Sequence, residues 1–440
     1  MTDLHGTGTR PHVVVLGGGF GGLAAVRALR KEDVDVTLVD RHPYNTFQPL
    51  LYQVATATLN PGDVTWFLRS ARSKQENMRF VQGDCAEVDH DARTLRLSGG
   101  EVLTFDHLVI ATGVAANFFG TPGAEQFAMP LYTRNQALAV RDAVFSGLEA
   151  AAADPHRDSI RVVVVGGGPT GVETAGALAE MRNKDVPVLY PELDSKKVHV
   201  TLVEMSPELL APFTPGSRDY ALESLRRRGV DLRLSTKVNE VRSDGVVVGD
   251  ADEFLPAGVV IWASGVTAPD AVSTWGVPQG RGHRIMVDDR QRVQGLDAIY
   301  AVGDISVADG DAALPQLAQP AIQQGKFVGR LIAAGLRGEP TEPFTYSDKG
   351  ILATIGRASA VAEVTGIPRL QGFPAWMVWN GVHIVTLLGN RNRVAAMVNL
   401  GAKYLAWGRS HNAIVGDTKP PQLHAATPER TRPETTEADA

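Results

Sequence analysis

One pattern occurs twice in this chain and limits what it can fold into: an aliphatic run, a glycine cluster, a helical sequence, and a second apolar run ending in an acid. The first copy is Val13-Val14-Val15-Leu16, then Gly17, Gly19 and Gly22, then Val36 to Val39 and Asp40. The second is Val162 to Val165, then Gly166, Gly168 and Gly171, then Val200 to Val203 and Glu204. Each reads as strand, tight turn, helix and parallel strand. The first glycine permits the turn, the second lets backbone N–H groups approach a pyrophosphate, and the third lets helix and strand pack closely. The helix N-terminus then faces phosphate charge. Asp40 and Glu204 fall where a carboxylate accepts from ribose hydroxyls. Glu204, with no arginine beside it, favours a cofactor lacking a 2′-phosphate, NADH over NADPH. Two complete dinucleotide sites on one chain imply electron transfer between them.

Strand-like runs recur at Thr104 to Ala111, ahead of Ala111-Thr112-Gly113, and at Gly258 to Trp262, ahead of Ala263-Ser264-Gly265. A helix is predicted from Arg134 to about Ala153, and another over Ser217 to Arg228 before Val230 to Leu234. Ile299 to Val302 then runs into Gly303-Asp304, which places an acid at a strand's carboxyl end, where ligands of doubly wound sheets sit. The second unit therefore reads as inserted into the first, which resumes near Arg284.

The formal net charge of −6 gives no reason to expect nucleic acid as a partner. The lone cysteine, Cys85, excludes a disulfide framework, a CxxC redox pair and a cysteine-ligated cluster, and reads as a buried small residue. No metal site is expected. Met1 to Pro11 lacks the features of a secretory leader, so a cytoplasmic location is expected.

These residues resemble the two-dinucleotide-binding-domain flavoproteins and, within them, the type II (alternative, non-proton-pumping) NADH:quinone oxidoreductases. The resemblance rests on Asn45-Thr46-Phe47-Gln48-Pro49-Leu50-Leu51-Tyr52-Gln53-Val54-Ala55, Gly171-Val172-Glu173, Ala318-Gln319-Pro320-Ala321-Ile322-Gln323-Gln324-Gly325, and Asp348 to Arg357. It implies FAD on the first unit, NADH on the second and a membrane quinone, menaquinone or ubiquinone, as acceptor. The implied cofactor-binding set is Gly17, Gly19, Phe20, Gly21, Gly22, Asp40, Arg41, Gln53, Ala111, Thr112, Gly113, Gly166, Gly168, Pro169, Thr170, Gly171, Glu173, Glu204, Ser264, Gly265, Gly303, Asp304, Ala318 and Gln319.

Gln319 and Gln323 lie four apart and share a helix face, from which two amides could donate to a quinone carbonyl or bond to backbone at a junction. Glu173 sits just inside the second glycine helix, where the dipole favours a carboxylate; the resemblance implies a place near nicotinamide and flavin, with a role in positioning or proton movement. Glu173, Gln319 and Gln323 are the catalytic candidates.

From Arg369 to Gly416 there are five Arg or Lys residues and no acid, and Phe373 to Leu388 carries Phe373, Trp376 and Trp379 among aliphatic residues. This run is interrupted by Asn380 and His383 and is short for a bilayer span. With the helix-like run Val394 to Trp407, it fits an in-plane anchor on an anionic leaflet, or a dimer interface.

The expected architecture is α/β, with two Rossmann-type dinucleotide-binding domains and a C-terminal amphipathic-helix membrane-association region. Expected boundaries are 1–118 with 284–345 for FAD, 119–283 for NADH, 346–416 for membrane association and dimerisation, and a disordered tail over 417–440. The enzyme is expected at the cell membrane, peripheral on its cytoplasmic side, as a homodimer. The rival readings are a soluble NADH-dependent reductase of a small electron-carrier protein and a slow-turnover flavin redox sensor. Sulfide:quinone chemistry uses cysteines that this chain lacks.

Overall fold

A computed structural model of the chain describes residues 10–154, 160–308 and 314–405. Both glycine-bearing strands lie at the centre of five-stranded sheets. The first sheet runs Ile299–Ala301, His107–Ile110, His12–Leu16, Asp35–Asp40, Met78–Gln82, with every neighbouring pair parallel. The second runs Met129–Pro130, Val259–Trp262, Ile160–Val165, Val198–Val203, Asp231–Arg233, again wholly parallel. The valine runs are explained by this position: every residue of His12–Leu16 is buried, as in strands covered on both faces.

The duplication extends beyond the glycine motif. Each unit carries a three-stranded antiparallel excursion, Cys85–Asp89, Thr94–Leu97 and Val102–Thr104 in one, Val238–Arg242, Gly245–Val248 and Glu253–Pro256 in the other. The chain crosses from the first sheet to the second at Ala115–Ala116 and returns at Val266–Thr267, and these segments pair antiparallel. Ile299–Ala301 then joins the first sheet beside His107–Ile110.

Glycines also set the helix packing. The first glycine helix, Phe20–Ala28, crosses Ala318–Leu336 so closely that a Cβ on Gly325 would stand 2.0 Å from the Gly21 carbonyl oxygen. Gly329, one turn on, faces Ala25 and Ala28. The second glycine helix, Pro169–Lys184, is approached as closely from the C-terminal region: a Cβ on Gly176 would meet the Ile355 carbonyl oxygen at 2.3 Å.

Ile355 belongs to a three-stranded antiparallel sheet, Gly350–Gly356, Ser359–Val364 and Leu370–Gln371, that the amphipathic patterning did not announce. Its residues Ala353, Ile355, Val361 and Ala362 share one core with Val172 and Ala175 of the second unit and Leu50 and Val54 of the first. The C-terminal region is therefore integral to the body of the molecule. Two helices follow, Phe373–Thr386 and Asn390–Leu405, joined at Gly389, whose φ of +83° is open to glycine. Trp407 and the expected tail over 417–440 lie outside the described residues.

The last helix is pinned at three points. Asn392 donates to the Thr65 carbonyl at 2.6 Å, Asn399 donates to Asp63 at 2.6 Å, and Lys403 pairs with Asp185 at 2.6 Å. The side chains of that last pair are only 7% and 4% exposed. Lys403→Met, which removes the cation of this buried pair, should cost about 3–5 kcal/mol. Urea denaturation would measure this, and a loss under about 0.5 kcal/mol, the range of an ordinary surface change, would contradict it.

Candidate functional site

The two glycine cradles are built alike. Gly17 has φ +108° and stands against the Ala111 carbonyl, while Gly166 has φ +112° and stands against that of Ala263. The third glycines are closed in: a Cβ on Gly22 would lie 1.9 Å from the Gly17 oxygen, and one on Gly171 would lie 1.8 Å from the Gly166 oxygen. The middle glycines differ, since a Cβ on Gly19 or Gly168 would meet nothing within 4 Å. That open side is what a pyrophosphate approaching the backbone requires.

Both acids brace their own loops. Asp40 accepts from the Gly18 N–H at 2.6 Å and the His42 N–H at 2.7 Å, and Glu204 accepts from the Gly167 N–H and, at 2.6 Å, the Ser206 N–H. An ionised carboxylate has about four acceptor positions, so two backbone bonds leave room for ribose hydroxyls. Burial raises the Asp40 pKa, opposed by those backbone N–H groups. Asn45 adds a support absent from the glycine fingerprint, donating from Nδ2 to the Gly18 carbonyl at 2.8 Å.

Around the first cradle, Thr112 Oγ1 is buried without a hydrogen-bond partner among the described residues, and Gly113 has φ +68°. Asp304 lies at the turn after Ile299–Ala301, where the Tyr132 hydroxyl donates to it at 3.4 Å. Burial raises the Asp304 pKa, and the Arg284 guanidinium opposes this. Arg284 also donates to the Asp304 carbonyl at 2.7 Å, and the Gly303 N–H donates to Gln324 Oε1 at 2.7 Å. Tyr132 was not singled out from sequence, and neither Arg284, which marks where the first unit resumes, nor Gln324 was given a place at this turn, to which only the fold brings them. Phe20 opens the first glycine helix and Arg41 pairs with Asp84 at the surface, 3.1 Å away. In the second cradle Pro169 takes the first helical position, the Thr170 carbonyl accepts from Thr174 at 2.6 Å, and the Phe119 ring covers Gly265, beside Ser264.

The paired glutamines separate in the structure. Gln323 donates to the Ser347 carbonyl at 2.9 Å and accepts from the Ser347 N–H at 3.0 Å, the backbone clasp that its spacing left open. Gln319, half-buried one turn earlier in a helix that begins at Ala318, makes no side-chain hydrogen bond within the described residues.

Glu173 is where the first unit, the second unit and the C-terminal region meet. It is 8% exposed and accepts from the Thr354 N–H at 3.2 Å. Burial pushes its pKa up to about 8; the Thr354 N–H and the nearby Trp379 indole, whose N–H has no partner in hydrogen-bond geometry among the described residues, pull the other way. Trp379 stacks on His383 with centroids 4.0 Å apart and meets Tyr52 edge-on at 6.1 Å. His383 in turn meets Phe47 at 6.1 Å, and Phe47 meets Phe20 at 5.6 Å. Burial pushes the His383 pKa down to about 4, so this ring is neutral at pH 7. An unbroken set of aromatic contacts thus runs from the start of the first glycine helix to Trp379 beside Glu173. Trp379 and His383 had been read only as part of an anchor.

Comparison with known proteins bears on this site. Residues 11–325 match the family described as pyridine nucleotide-disulphide oxidoreductase, and residues 349–410 match the NDH2 C-terminal domain. The chain is 32% identical over 422 residues to the type II NADH:quinone oxidoreductase Ndh of Mycobacterium tuberculosis, covering 92% of this chain and 90% of that protein. It is also 32% identical over 375 residues to a type II NADH:quinone oxidoreductase of Staphylococcus aureus, covering 82% and 91%. Among solved structures, NDH2 from Plasmodium falciparum in complex with NADH superposes with a TM-score of 0.83 at 22% identity, covering 91% of this chain and 99% of that one. The sulfide:quinone oxidoreductase of Aquifex aeolicus shares the fold with a TM-score of 0.71 at 20% identity, covering 90% and 95%.

Proposed function

Because this chain belongs to the type II NADH:quinone oxidoreductases, we propose that it holds FAD on its first unit and NADH on its second, and reduces a membrane quinone without pumping protons. The observation that carries this reading is the meeting of all three regions at Glu173, joined by the aromatic contacts to the start of the first glycine helix.

The residues fit a flavin dinucleotide. Gly19 leaves an open face for the pyrophosphate, Asp40 keeps acceptor capacity for ribose, Thr112 offers a buried hydroxyl without a partner among the described residues, and Asp304 stands at the strand end. Bound FAD supplies the two-electron chemistry between NADH and quinone. The chain's own residues orient and exclude water. Gly168 and Glu204 position NADH on the second cradle. A quinone ring would approach beside His383, the half-buried ring that stacks on the buried Trp379, and Gln319, which makes no side-chain hydrogen bond within the described residues, would donate to its carbonyl. Glu173, protonated below about pH 8, can hold the proton that the reduced quinone must acquire.

The quinone would reach this site from a lipid surface. Phe373, Met377 and Val385 on one C-terminal helix and Val394, Met397 and Val398 on the other are each more than half exposed. Between Arg369 and Lys403 there is no acidic residue. An exposed apolar face with basic flanks suits the interface of an anionic bilayer. Among the described residues no helix is long and apolar enough to cross a membrane. A homodimer through the same helices would cover this face, so vesicle binding separates the two uses. Changing Met377, Val385 and Val398 together to Asp should abolish sedimentation with anionic vesicles. Reduction of a long-chain quinone in those vesicles should fall by tenfold or more, each buried methylene being worth about 0.8 kcal/mol, while a water-soluble quinone is still reduced. Unchanged vesicle binding and turnover would overturn the assignment.

A further inference from the structure

A small cavity with a mixed polar and apolar lining, which includes Glu180 and the Asp185–Lys403 pair, lies along the second glycine helix. The helix face that carries Glu173 continues to Ala177 and Glu180, one and two turns on. Glu180 lines the cavity together with Tyr52, Gln53, Thr354 and Tyr404. The free volume of about 30 Å³ takes roughly two waters.

Its lining reaches Glu173 through Thr354. Thr354 gives its N–H to the Glu173 carboxylate at 3.2 Å, and the Tyr52 phenol is close enough for the Glu173 charge to help raise its pKa, after burial. Gln53 donates from Nε2 to the Tyr52 hydroxyl at 2.8 Å, so the phenol's own hydrogen remains to be given. Gln53 is 3% exposed, yet its Oε1 is buried with no partner among the described residues. A buried amide oxygen left over at a cavity is a place for water. At the outer end Glu180 is half-buried and accepts from the Arg357 N–H through one oxygen, at 2.7 Å.

The proposed reaction requires such a route. NADH gives up a hydride, which is two electrons and one proton, whereas a quinone becoming a quinol takes two electrons and two protons. One proton per turnover must come from water, and Glu173 is too deeply buried to take it directly.

We propose that Glu180, water in this cavity and the Gln53–Tyr52 pair carry a solvent proton to Glu173. The proton leaves the Glu180 carboxyl for the cavity water, the water passes one to the Tyr52 oxygen as the phenol releases its own to the Glu173 carboxylate, and Glu180 recovers a proton from solvent. Burial holds the Glu180 pKa above its ordinary value; the Arg357 N–H, Arg228 and Lys403 oppose this, and Asp185 adds to it. Tyr404 faces the same carboxylate, and Tyr52 and Trp379 face Glu173. Glu180 is a proton-relay residue touching neither cofactor nor quinone.

The inference rests on the NADH:quinone reading, and the test keeps the two apart. Glu180→Gln and Tyr52→Phe holoenzymes are mixed with NADH and either ferricyanide, which accepts electrons without protons, or a water-soluble quinone, while a pH indicator in weak buffer reports proton uptake. Quinone reduction and proton uptake should slow together by roughly tenfold, less than the roughly 10²-fold of a direct general acid. The defect should deepen as pH rises, Glu180→Asp should restore most of it, and ferricyanide reduction should hold at the wild-type rate. Wild-type quinone rates and pH profile in Glu180→Gln would overturn the route, as would equal losses with both acceptors. Failure of the wild-type enzyme to reduce quinone would overturn the function instead.

Discussion

Gly22→Ala should purify without flavin, and Gly171→Ala should keep its flavin but no longer be reduced by NADH. Both substitutions add one methyl group, and both place it within 2 Å of a carbonyl oxygen, 1.9 Å from Gly17 in the first cradle and 1.8 Å from Gly166 in the second. Separations that short cannot be absorbed by a side-chain rotation, because the obstructing atom is backbone. The helix must back away from its strand, at a cost of about 1–3 kcal/mol for overpacking, and the turn that presents N–H groups to the pyrophosphate opens with it. The two variants should therefore separate the sites. The visible absorbance of the purified protein reads the first, and an anaerobic NADH titration reads the second, in which half-reduction should need at least about tenfold more NADH, equivalent to about 1.4 kcal/mol. Normal flavin content in Gly22→Ala, or normal NADH reduction in Gly171→Ala, would contradict the assignment of that cradle.

Glu173→Gln should lower quinone reduction by about 10²-fold while NADH still reduces the enzyme, since the amide keeps the size of the side chain but cannot pass a proton. The same variant should change how stability depends on pH. The Glu173 pKa in the folded protein, about 8, lies above its ordinary 4.5, chiefly through burial. Its stabilising contribution is therefore fully present below about pH 4.5 and is lost as pH rises through about 8. Over that window the wild type should lose stability, on the order of a few kcal/mol, that Glu173→Gln does not lose. Thermal unfolding at a series of pH values measures the difference. Parallel pH profiles for the two proteins would mean that Glu173 is not held protonated.

Elements whose signal is local were legible in the sequence. The helix expected from Arg134 to Ala153 has those bounds, and its start is fixed by Thr133 and Gln136, whose side chains cap each other's backbone N–H groups. Both βαβ units, the strand before Gly303-Asp304 and the two C-terminal helices also follow from short-range pattern. Elements whose reason lies across the fold were not legible. The sheet Gly350–Gly356, Ser359–Val364 and Leu370–Gln371 exists because Gly176 lets Ile355 settle against a helix far earlier in the chain. Gln319 and Gln323 share a face as their spacing requires, but that Gln323 is clasped by Ser347 is something no periodicity reveals. Trp379 and His383 have the composition of an anchor, and only their meeting with Phe47, Tyr52 and Glu173 gives them a second role.

The central claim is a continuous electron path from NADH to a quinone in lipid. Anaerobic mixing of the purified enzyme with NADH, followed by a menaquinone analogue in anionic liposomes, tests it through the visible flavin absorbance. The account predicts bleaching by NADH and recovery on adding the liposomes, both faster than about 1 s⁻¹, the lower end of ordinary enzyme turnover. Bleaching without recovery would contradict it and point to a protein acceptor.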